Sequence, residues 1–424
     1  MNRQLLKEVV IEQNKRLASV NKGIPREDLS VIQSFYKLPH AVVIAGLRRA
    51  GKSTLLYQIM AELGNQGYYF NFEDERLIGF EVKDFTILHE ILMELYGKRT
   101  IFFLDEIQNV HGWERFVRRM TDSGYKFFLT GSNASLLSQE LGTKLTGRHI
   151  SHVLFPFSFR EYLLFCGTGK IRDRDLLETD KRALLKQHFN RYLYEGGMPE
   201  YLAFHQPETL KSVYDDILFR DIATRYDIRD IQALRELAIY LLSNAGTPVT
   251  YNRLAQFLHL GSVNTARSYI RYLENSFLFF LVNQYDPSLK KQSILPKKVY
   301  AIDNGMVYAL AFKFSENVGR LIENLVFLEL KRRKEIVYYY RTQSGLEVDF
   351  LLIKGSNIDQ LVQVSSSLAH PKTRERELNA LQEAMGELGV RKGLILTMDE
   401  TEKIKVEKKR IIVKPVYEWL LTDY

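Results

Sequence analysis

The chain has 424 residues, 46% hydrophobic and 26% charged, which indicates a globular protein of roughly two to four domains. No apolar run reaches the about 18 residues that cross a bilayer, and the charged N-terminus lacks an apolar signal segment, so neither a membrane span nor a secretory leader is expected. The net charge of +8 permits nucleic-acid contact without requiring it, and the single cysteine, Cys166, excludes internal disulfides and cysteine metal knuckles and favours a reducing cytoplasm.

Residues 1–30 are predicted to form an N-terminal helical segment. Short apolar strands then alternate with amphipathic helices from about Ala41 to Phe155. The predicted strands are residues 41–45, 68–72, 100–104 and 126–130. Near-continuous apolar strands joined by helical crossovers indicate a parallel sheet that is covered on both faces, so this part is predicted to be an α/β domain.

A phosphate-binding loop follows the first of these strands. The sequence GLRRAGKS fits G-x-x-x-x-G-K-S and opens a helix, a context in which a glycine turn that binds nothing is disfavoured. Backbone N–H groups and the helix N-terminus face the phosphates, Lys52 reaches the β- and γ-phosphates, and the Ser53 hydroxyl ligates Mg²⁺. ATP and Mg²⁺ are therefore the predicted cofactors. The predicted nucleotide contacts are Gly46, Leu47, Arg48, Arg49, Ala50, Gly51, Lys52, Ser53 and Thr54.

Two adjacent carboxylates end the third strand. Asp105 is predicted to hold Mg²⁺, and Glu106 to polarise the attacking water. An acidic cap for the next helix is the alternative, but it accounts for one carboxylate better than for two. A further strand separates the P-loop from this acidic strand, an order seen in ATPases that use a catalytic glutamate.

The fourth strand ends in Thr-Gly-Ser-Asn, where a polar side chain can touch the γ-phosphate or the attacking water. Asn133 is the first candidate and Ser132 the second, with helix capping as an equal alternative. Arg148 is the candidate arginine finger, which would act across a subunit boundary. The equal alternative is that Arg148 is a surface arginine in a solvated loop. The candidate catalytic residues are therefore Glu106, Lys52, Asn133 and Arg148.

The chain resembles the bacterial and archaeal AAA-type ATPases that carry a C-terminal domain of unknown function related to restriction endonucleases. The matching stretches are GLRRAGKST, YYFNFEDERL, IFFLDEIQNVHGWE, LTGSNASLL, LTGRHISHVLFPFSFREYL, GGMPEYL, ILFRDIATRY, GRLIENLVFLEL and GLEVDFLL. The resemblance implies an AAA-type parallel-sheet core (31–160), a helical lid (161–228), a winged helix (229–286) and a degenerate endonuclease-like α/β domain (287–424). Gly197 and Pro199 would belong to the lid.

The predicted winged helix has a helix–turn–helix pattern over residues 250–258 and 262–275, followed by a wing over 277–285. Arg267 and Arg271 lie on the outer face of its second helix, which suits phosphate and base contacts. A basic loop follows and contains Lys290, Lys291, Lys297 and Lys298. DNA is therefore a candidate partner, and a packing or protein-contact role for the same face is an equal alternative.

In the terminal domain, Glu323 on a helix and Asp349 on a strand resemble the metal-binding acids of endonucleases. The positions of the usual Glu-x-Lys on the next strand are Gln363 and Ser365, which supply neither the second carboxylate nor the cation. Nuclease activity is therefore not expected.

Three functions stay open from the sequence. The first is an ATP-driven switch or motor that acts on DNA or on a protein, with self-association as an expectation. The second is an ATP-regulated nuclease, which Gln363 and Ser365 disfavour. The third is a nucleotide-binding scaffold with little turnover, which Glu106 disfavours.

Overall fold

The computed structural model describes residues 1–17, 19–134, 145, 147–311, 318–406 and 408–422. The chain forms two compact units, Met1–Phe155 with Asn275–Phe277, and Pro156–Glu274 with Leu278–Tyr424. Across the described part of the chain, no helix is both long and apolar enough to cross a membrane.

The first unit is an α/β layer structure around one parallel sheet, which confirms the predicted fold class. The strands run in the order β2-β3-β4-β1-β5, and all four neighbouring pairs are parallel. The fifth strand, at residues 149–154, was not among the predicted strands. The elements are α1 (Arg3–Leu17), α2 (Asp28–Gln33), β1 (Ala41–Gly46), α3 (Lys52–Glu62), β2 (Tyr68–Asn71), α4 (Asp84–Tyr96), β3 (Ile101–Asp105), α5 (Glu114–Asp122), β4 (Lys126–Gly131) and β5 (His149–Leu154).

Aromatic side chains fill both faces of this sheet. Phe102 stacks on Phe127 on one face, with ring centroids 5.0 Å apart, and Phe103 stacks on Phe128 on the other at 5.2 Å. At the edge, the Gln13 side chain of α1 donates to Asn71 O and accepts from Asn71 N, each at 2.9 Å. Helix α1 thereby covers the open edge of β2, where unpaired backbone groups would otherwise remain.

The second unit begins with a group of helices. A capping box starts the first of them, because the Ser158 hydroxyl accepts from Glu161 N while the Glu161 carboxylate accepts from Ser158 N. A π-helical turn, Ile217–Ala223, continues the fourth helix. The helices are α6 (Phe159–Phe165), α7 (Thr179–Glu195), α8 (Pro199–Phe204), α9 (Pro207–Asp216) and α10 (Ile231–Ser243).

A small antiparallel sheet follows, in the order β6-β8-β7. Its elements are β6 (Pro248–Val249), α11 (Tyr251–Phe257), α12 (Val263–Asn275), β7 (Phe279–Asn283), α13 (Leu289–Ile294) and β8 (Lys297–Ala301). The Thr250 hydroxyl caps α11 by accepting from Arg253 N. Ala266, Ile270 and Leu273 of α12 are buried, as the 3.6-residue period requires.

The remaining elements form a six-stranded mixed sheet in the order β13-β14-β12-β11-β10-β9. They are α14 (Asn304–Leu310), α15 (Val318–Arg332), β9 (Ile336–Arg341), β10 (Glu347–Lys354), β11 (Asn357–Val364), α16 (Pro371–Glu387), β12 (Lys392–Thr397), β13 (Glu402–Val406), β14 (Lys409–Pro415) and α17 (Val416–Leu421).

The Gly-Gly-Met-Pro stretch lies between α7 and α8, at a point of close backbone approach. A Cβ on Gly197 would come within 2.2 Å of Phe157 O, so a side chain has no room there. The Gly197 N–H donates to the buried carboxylate of Asp303 at 2.6 Å, and the same carboxylate caps α14. These glycines therefore have a structural requirement within the second unit.

Candidate nucleotide site

The predicted P-loop connects β1 to α3. Gly46 passes so close to β5 that a Cβ would come within 2.3 Å of Leu154 O, which only glycine avoids. Gly51 caps α3 in the left-handed region with φ 98°, and Arg49 also has a positive φ of 62°. This curl presents the N-terminus of α3 to the loop, the arrangement that binds phosphate groups.

The Lys52 side chain is folded back over this loop. It is 4% exposed, and its ammonium donates to Leu47 O at 3.1 Å. The ammonium also lies 3.6 Å from a carboxylate oxygen of Glu106. Arg48 Nη1 donates to Glu73 Oε1 at 3.0 Å. The positive charge of Lys52 therefore lies at the P-loop, where an anionic ligand would bind.

Asp105 lies at the end of β3 and is completely buried. Thr130 Oγ1 donates to Asp105 Oδ1, and the Tyr69 hydroxyl lies 3.3 Å from Asp105 Oδ2. Burial and the charge of Glu106 raise the pKa of Asp105 to about 6, against hydrogen bonds from Thr130 and Ser53. The structure thus places the two predicted metal ligands, Ser53 and Asp105, beside each other.

Glu106 adopts a left-handed backbone conformation with φ 50°, which is uncommon for a residue with a side chain. Although burial acts to raise its pKa, the charge of Lys52 and a hydrogen bond from Gln108 hold the pKa of Glu106 below its usual value. Gln108 Nε2 donates to Glu106 Oε2 at 2.5 Å. Gln108, two residues further along the chain, therefore lies against the candidate base.

The polar end of β4 lies at the same edge of the sheet. Ser132 and Asn133 are both buried, at 2% and 3% exposure, and the Gln108 amide lies 3.5 Å from Ser132 Oγ. β4 lies between β1 and β3 in the sheet, so the strand next to the P-loop delivers these side chains. Asn133 and Ser132 are thereby brought to the edge that holds Asp105 and Glu106.

Arg148 precedes β5 and is paired within its own chain. Its Nε lies 2.6 Å from an Asp122 carboxylate oxygen, and both side chains are partly exposed. Residues 135–144, which precede Arg148 in the chain, lie outside the described residues. In this structure the candidate finger is held by α5.

Sequence reasoning missed Arg26, which lies 24 residues before the nearest residue it touches in the P-loop. It is 4% exposed, and its guanidinium donates to Ala50 O at 2.9 Å and to Phe155 O at 2.7 Å. The Gln58 side chain of α3 accepts from Arg26 N at 3.2 Å. Arg26 thus ties the segment before β1 to the loop, and no local pattern marks it.

The predicted basic face is partly present. Arg267 and Arg271 are exposed on α12, with their guanidinium carbons 5.2 Å from the Tyr251 ring centre and 5.7 Å from that of Tyr272. A cavity of about 200 Å³ lies beside Arg267 and is also lined by Tyr251, Ile294 and Lys297.

The prediction that Lys298 lies in a basic loop is wrong. Lys290 and Lys291 belong to α13, whereas Lys298 lies in the central strand of the small sheet and is 1% exposed. Glu323 and Asp349 do come together, and the Lys298 ammonium lies between them. Carboxylates that compensate its charge are what allow this lysine to point inward.

Three family models match the chain. Residues 39–163 match the AAA domain, residues 186–317 match a domain of unknown function, DUF8612, and residues 318–419 match another, DUF4143. The AAA match contains the P-loop, the acidic pair and Arg148. It starts after Arg26.

Proteins that are similar over most of this chain come from an archaeon and a bacterium. Uncharacterized protein MJ1544 of Methanocaldococcus jannaschii is 34% identical, covering 100% of this chain and 96% of that protein. An uncharacterized protein of Haemophilus influenzae is 32% identical, covering 89% of this chain and 94% of that protein.

Solved structures match more weakly. Thermotoga maritima RuvB, titled a Holliday junction branch migration motor, is 17% identical with a TM-score of 0.30, covering 68% of this chain and 97% of that one. AMPPCP-bound DnaA from Aquifex aeolicus is 14% identical with a TM-score of 0.27, covering 60% and 89%. Such TM-scores are too low for any property of these proteins to be transferred.

Proposed function

Because the chain belongs to the family of the Methanocaldococcus jannaschii protein MJ1544 and carries an AAA domain, we propose that it is a Mg²⁺-dependent ATPase that works as a switch or motor. The observation that carries the proposal is the Lys52–Glu106 pair at 3.6 Å, with buried Asp105 beside it. A P-loop cation, a metal-binding carboxylate and a candidate base meet at one sheet edge. That set is what phosphoryl transfer to water requires.

The residues divide the work by their chemistry. The loop from Gly46 to Thr54 would cradle the phosphates, and Lys52 would neutralise their charge. Ser53 and Asp105 offer the hard oxygen ligands that Mg²⁺ prefers, and when bound the ion would balance charge on the phosphates. Glu106 would accept a proton from the attacking water, for which its lowered pKa keeps it ionised at neutral pH. Asn133, with Ser132, would orient that water or the γ-phosphate.

Two substitutions test the assignment. Lys52→Ala should abolish ATP binding in a titration, because the phosphates lose their principal counter-charge. Glu106→Gln keeps the shape and should bind ATP with an unchanged Kd while turnover falls by about 10²-fold or more, the scale of a lost general base. Glu75→Gln, an exposed carboxylate of the same unit, is the matched control and should behave as wild type. If Glu106→Gln hydrolysed ATP at the wild-type rate, Glu106 would not be the catalytic base, and a nucleotide-binding scaffold would be the remaining function.

We also propose the division of the chain at residues 1–30, 31–160, 161–228, 229–286 and 287–424 into N-terminal segment, core, lid, winged helix and endonuclease-like domain. The order α10-β6-α11-α12-β7-α13-β8 supports the winged-helix interpretation of the fourth segment. Because β8 is the central strand of that sheet, we propose to move the boundary between the winged helix and the endonuclease-like domain from residue 286 to Ala301.

DNA is the partner that we propose for this winged helix. Arg267 and Arg271 are exposed along one helix, and Lys297 lies near Arg267, with its ammonium 5.9 Å from the same Tyr251 ring. Each phosphate contact adds about 0.9 to the slope of log affinity against log salt on duplex DNA. Removing both arginines should therefore flatten that slope by about two.

The measurement is a salt titration of duplex DNA binding by fluorescence anisotropy. The matched control removes two exposed lysines of the first unit, Lys15 and Lys98, which should leave the slope unchanged. Binding that is absent at low salt, or a slope that the arginine pair does not change, would make the winged helix a packing or protein-contact module.

A further inference from the structure

Three carboxylates of the terminal domain surround one buried ammonium group. Lys298 Nζ on β8 lies 2.8 Å from Glu323 on α15, and 2.8 and 2.9 Å from Glu347 and Asp349 on β10. The Lys298 side chain is 1% exposed, against 12% for Glu323 and 10% for Asp349. Helix and strand acids in this arrangement are the pair that the resemblance to endonucleases assigns to a metal.

The carboxylate oxygens of this cluster are also used by other internal donors. Glu323 Oε1 accepts from the Tyr300 hydroxyl at 2.7 Å in addition to Lys298. Asp349 Oδ2 accepts from Val364 N at 2.9 Å. Glu347 Oε2 accepts from Arg341 at 3.2 Å. The protein itself therefore supplies hydrogen-bond donors to the oxygens that a cation would need.

The neutral positions of the next strand are engaged as well. Gln363 Oε1 accepts from Asp349 N at 3.3 Å, and its amide nitrogen donates to Glu377 at 2.5 Å. Ser365 Oγ donates to Ser367 O at 3.1 Å. In the described part of the chain, no group of three or more histidine, cysteine, aspartate or glutamate side chains is arranged to hold a metal ion.

We propose that Lys298 is a built-in counter-ion that takes the place of the divalent cation in this endonuclease-like cradle, so that the terminal domain binds no catalytic metal. A divalent ion at the carboxylates would stand beside a buried ammonium, and like charges in a poorly hydrated site repel strongly. The same lysine connects β8 to α15 and β10, so the charge that replaces the metal also links two sheets of the second unit. This inference is independent of the ATPase proposal.

The test is a Mn²⁺ titration of the nucleotide-free full-length protein, followed by electron paramagnetic resonance. Wild type and Asp349→Asn should bind the same number of ions, since Lys298 already occupies the cradle. Lys298→Met frees three carboxylates and should bind one additional Mn²⁺ per chain, and this additional ion should be lost in Lys298→Met/Asp349→Asn. Lys290→Met, an exposed lysine of α13, is the control and should bind as wild type.

Two results would overturn the proposal. One is an ion bound by wild type and missing from Asp349→Asn, because the cradle would then hold a metal beside Lys298. The other is a folded Lys298→Met, verified by circular dichroism, that gains no ion. If Lys298→Met does not fold, the comparison of wild type with Asp349→Asn still decides, since equal stoichiometry supports the counter-ion and unequal stoichiometry removes it.

Discussion

Arg26 lies outside the P-loop in sequence, but its side chain contacts and supports that loop. Its guanidinium holds two carbonyls, one in the P-loop and one after β5, and Gly51 lets it approach because a Cβ there would lie 3.0 Å from Arg26 Nη1. Hydrogen bonds from a charged donor to buried acceptors contribute about 1.5–3 kcal/mol each. The residue is thus a positioning group for the nucleotide loop.

Arg26→Ala should weaken ATP binding by roughly tenfold or more, the equivalent of about 1.4 kcal/mol, because the loop loses its support at Ala50. Calorimetric titration gives the Kd, and thermal denaturation separates this effect from unfolding. Arg16→Ala, an exposed arginine of α1, is the control. An unchanged Kd with a lowered unfolding temperature would mean that Arg26 stabilises the fold without shaping the loop.

The P-loop, Asp105 and Glu106 could be predicted because their signal is local: a strand, a fixed spacing and a helix within a few residues. Arg26 and Lys298 could not, because Ala50 and Glu323, which they contact, lie 24 and 25 residues further along the chain, and neither residue carries a pattern of its own. Lys298 in particular follows Lys297 in a basic stretch, and only the strand alternation decides which of the two points inward. Gln108 is close to Glu106 in sequence, but its hydrogen bond to Glu106 accompanies the left-handed backbone of Glu106, which no sequence pattern marks.

At the scale of elements, the four predicted strands of the first unit and the helix–turn–helix pattern correspond to β1–β4, α11 and α12. The strand at His149–Leu154 was missed, because only His152 and Leu154 in it are buried and its sequence, HISHVL, contains two histidines. β8 was placed in a loop because its first two residues are lysines. In both cases tertiary pairing with a neighbouring strand outweighed the local composition.

Glu274, near the end of α12, provides a test of how this helix is held to the strand β7. Its carboxylate accepts from Leu281 N at 3.2 Å, and burial raises its pKa to about 7. Lys297 and Tyr251 are the other titratable groups that face it. A raised carboxyl pKa stabilises the fold below the unfolded value near 4.5, and this contribution is lost as pH rises through about 7.

Glu274→Gln keeps an acceptor for Leu281 and cannot ionise. We expect its unfolding temperature to equal that of wild type near pH 5 and to exceed it at pH 8, by an amount that corresponds to about 1–2 kcal/mol. Thermal denaturation at the two pH values measures the difference. Glu236→Gln, on exposed α10 surface, should show no such pH dependence. If Glu274→Gln were less stable than wild type at pH 8, the ionised, buried Glu274 carboxylate would not be destabilising the fold, and the interpretation would be wrong.

At the scale of the whole molecule, the family matches give the order of three domains along the chain but not their function. The AAA domain, DUF8612 and DUF4143 segments follow one another along the chain, and relatives that share this full length are themselves uncharacterized. Lys52, Asp105 and Glu106 meet within one chain, whereas Arg148, the candidate finger, is paired with Asp122 of its own chain. Whether hydrolysis depends on a second copy is therefore the property that most separates a motor from a monomeric switch.

Arg148 is the residue on which that question depends. Its ion pair with Asp122 is partly exposed, with side-chain exposures of 38% and 47%, and pairs of this kind contribute about 0–1 kcal/mol. So weak a pair can open if a neighbouring subunit offers a γ-phosphate, and a charge-assisted contact there stabilises the transition state more than the ground state.

If Arg148 exchanges Asp122 for a neighbour's γ-phosphate in this way, specific activity should rise with protein concentration, and Arg148→Ala should lower turnover by about 10³-fold with little change in the Kd of ATP. Asp122→Asn supplies the matched control, because it removes this ion pair and keeps the arginine, so its turnover should equal or exceed that of wild type. Activity that is independent of concentration, or equal losses in Arg148→Ala and Asp122→Asn, would assign the arginine to the surface of its own subunit.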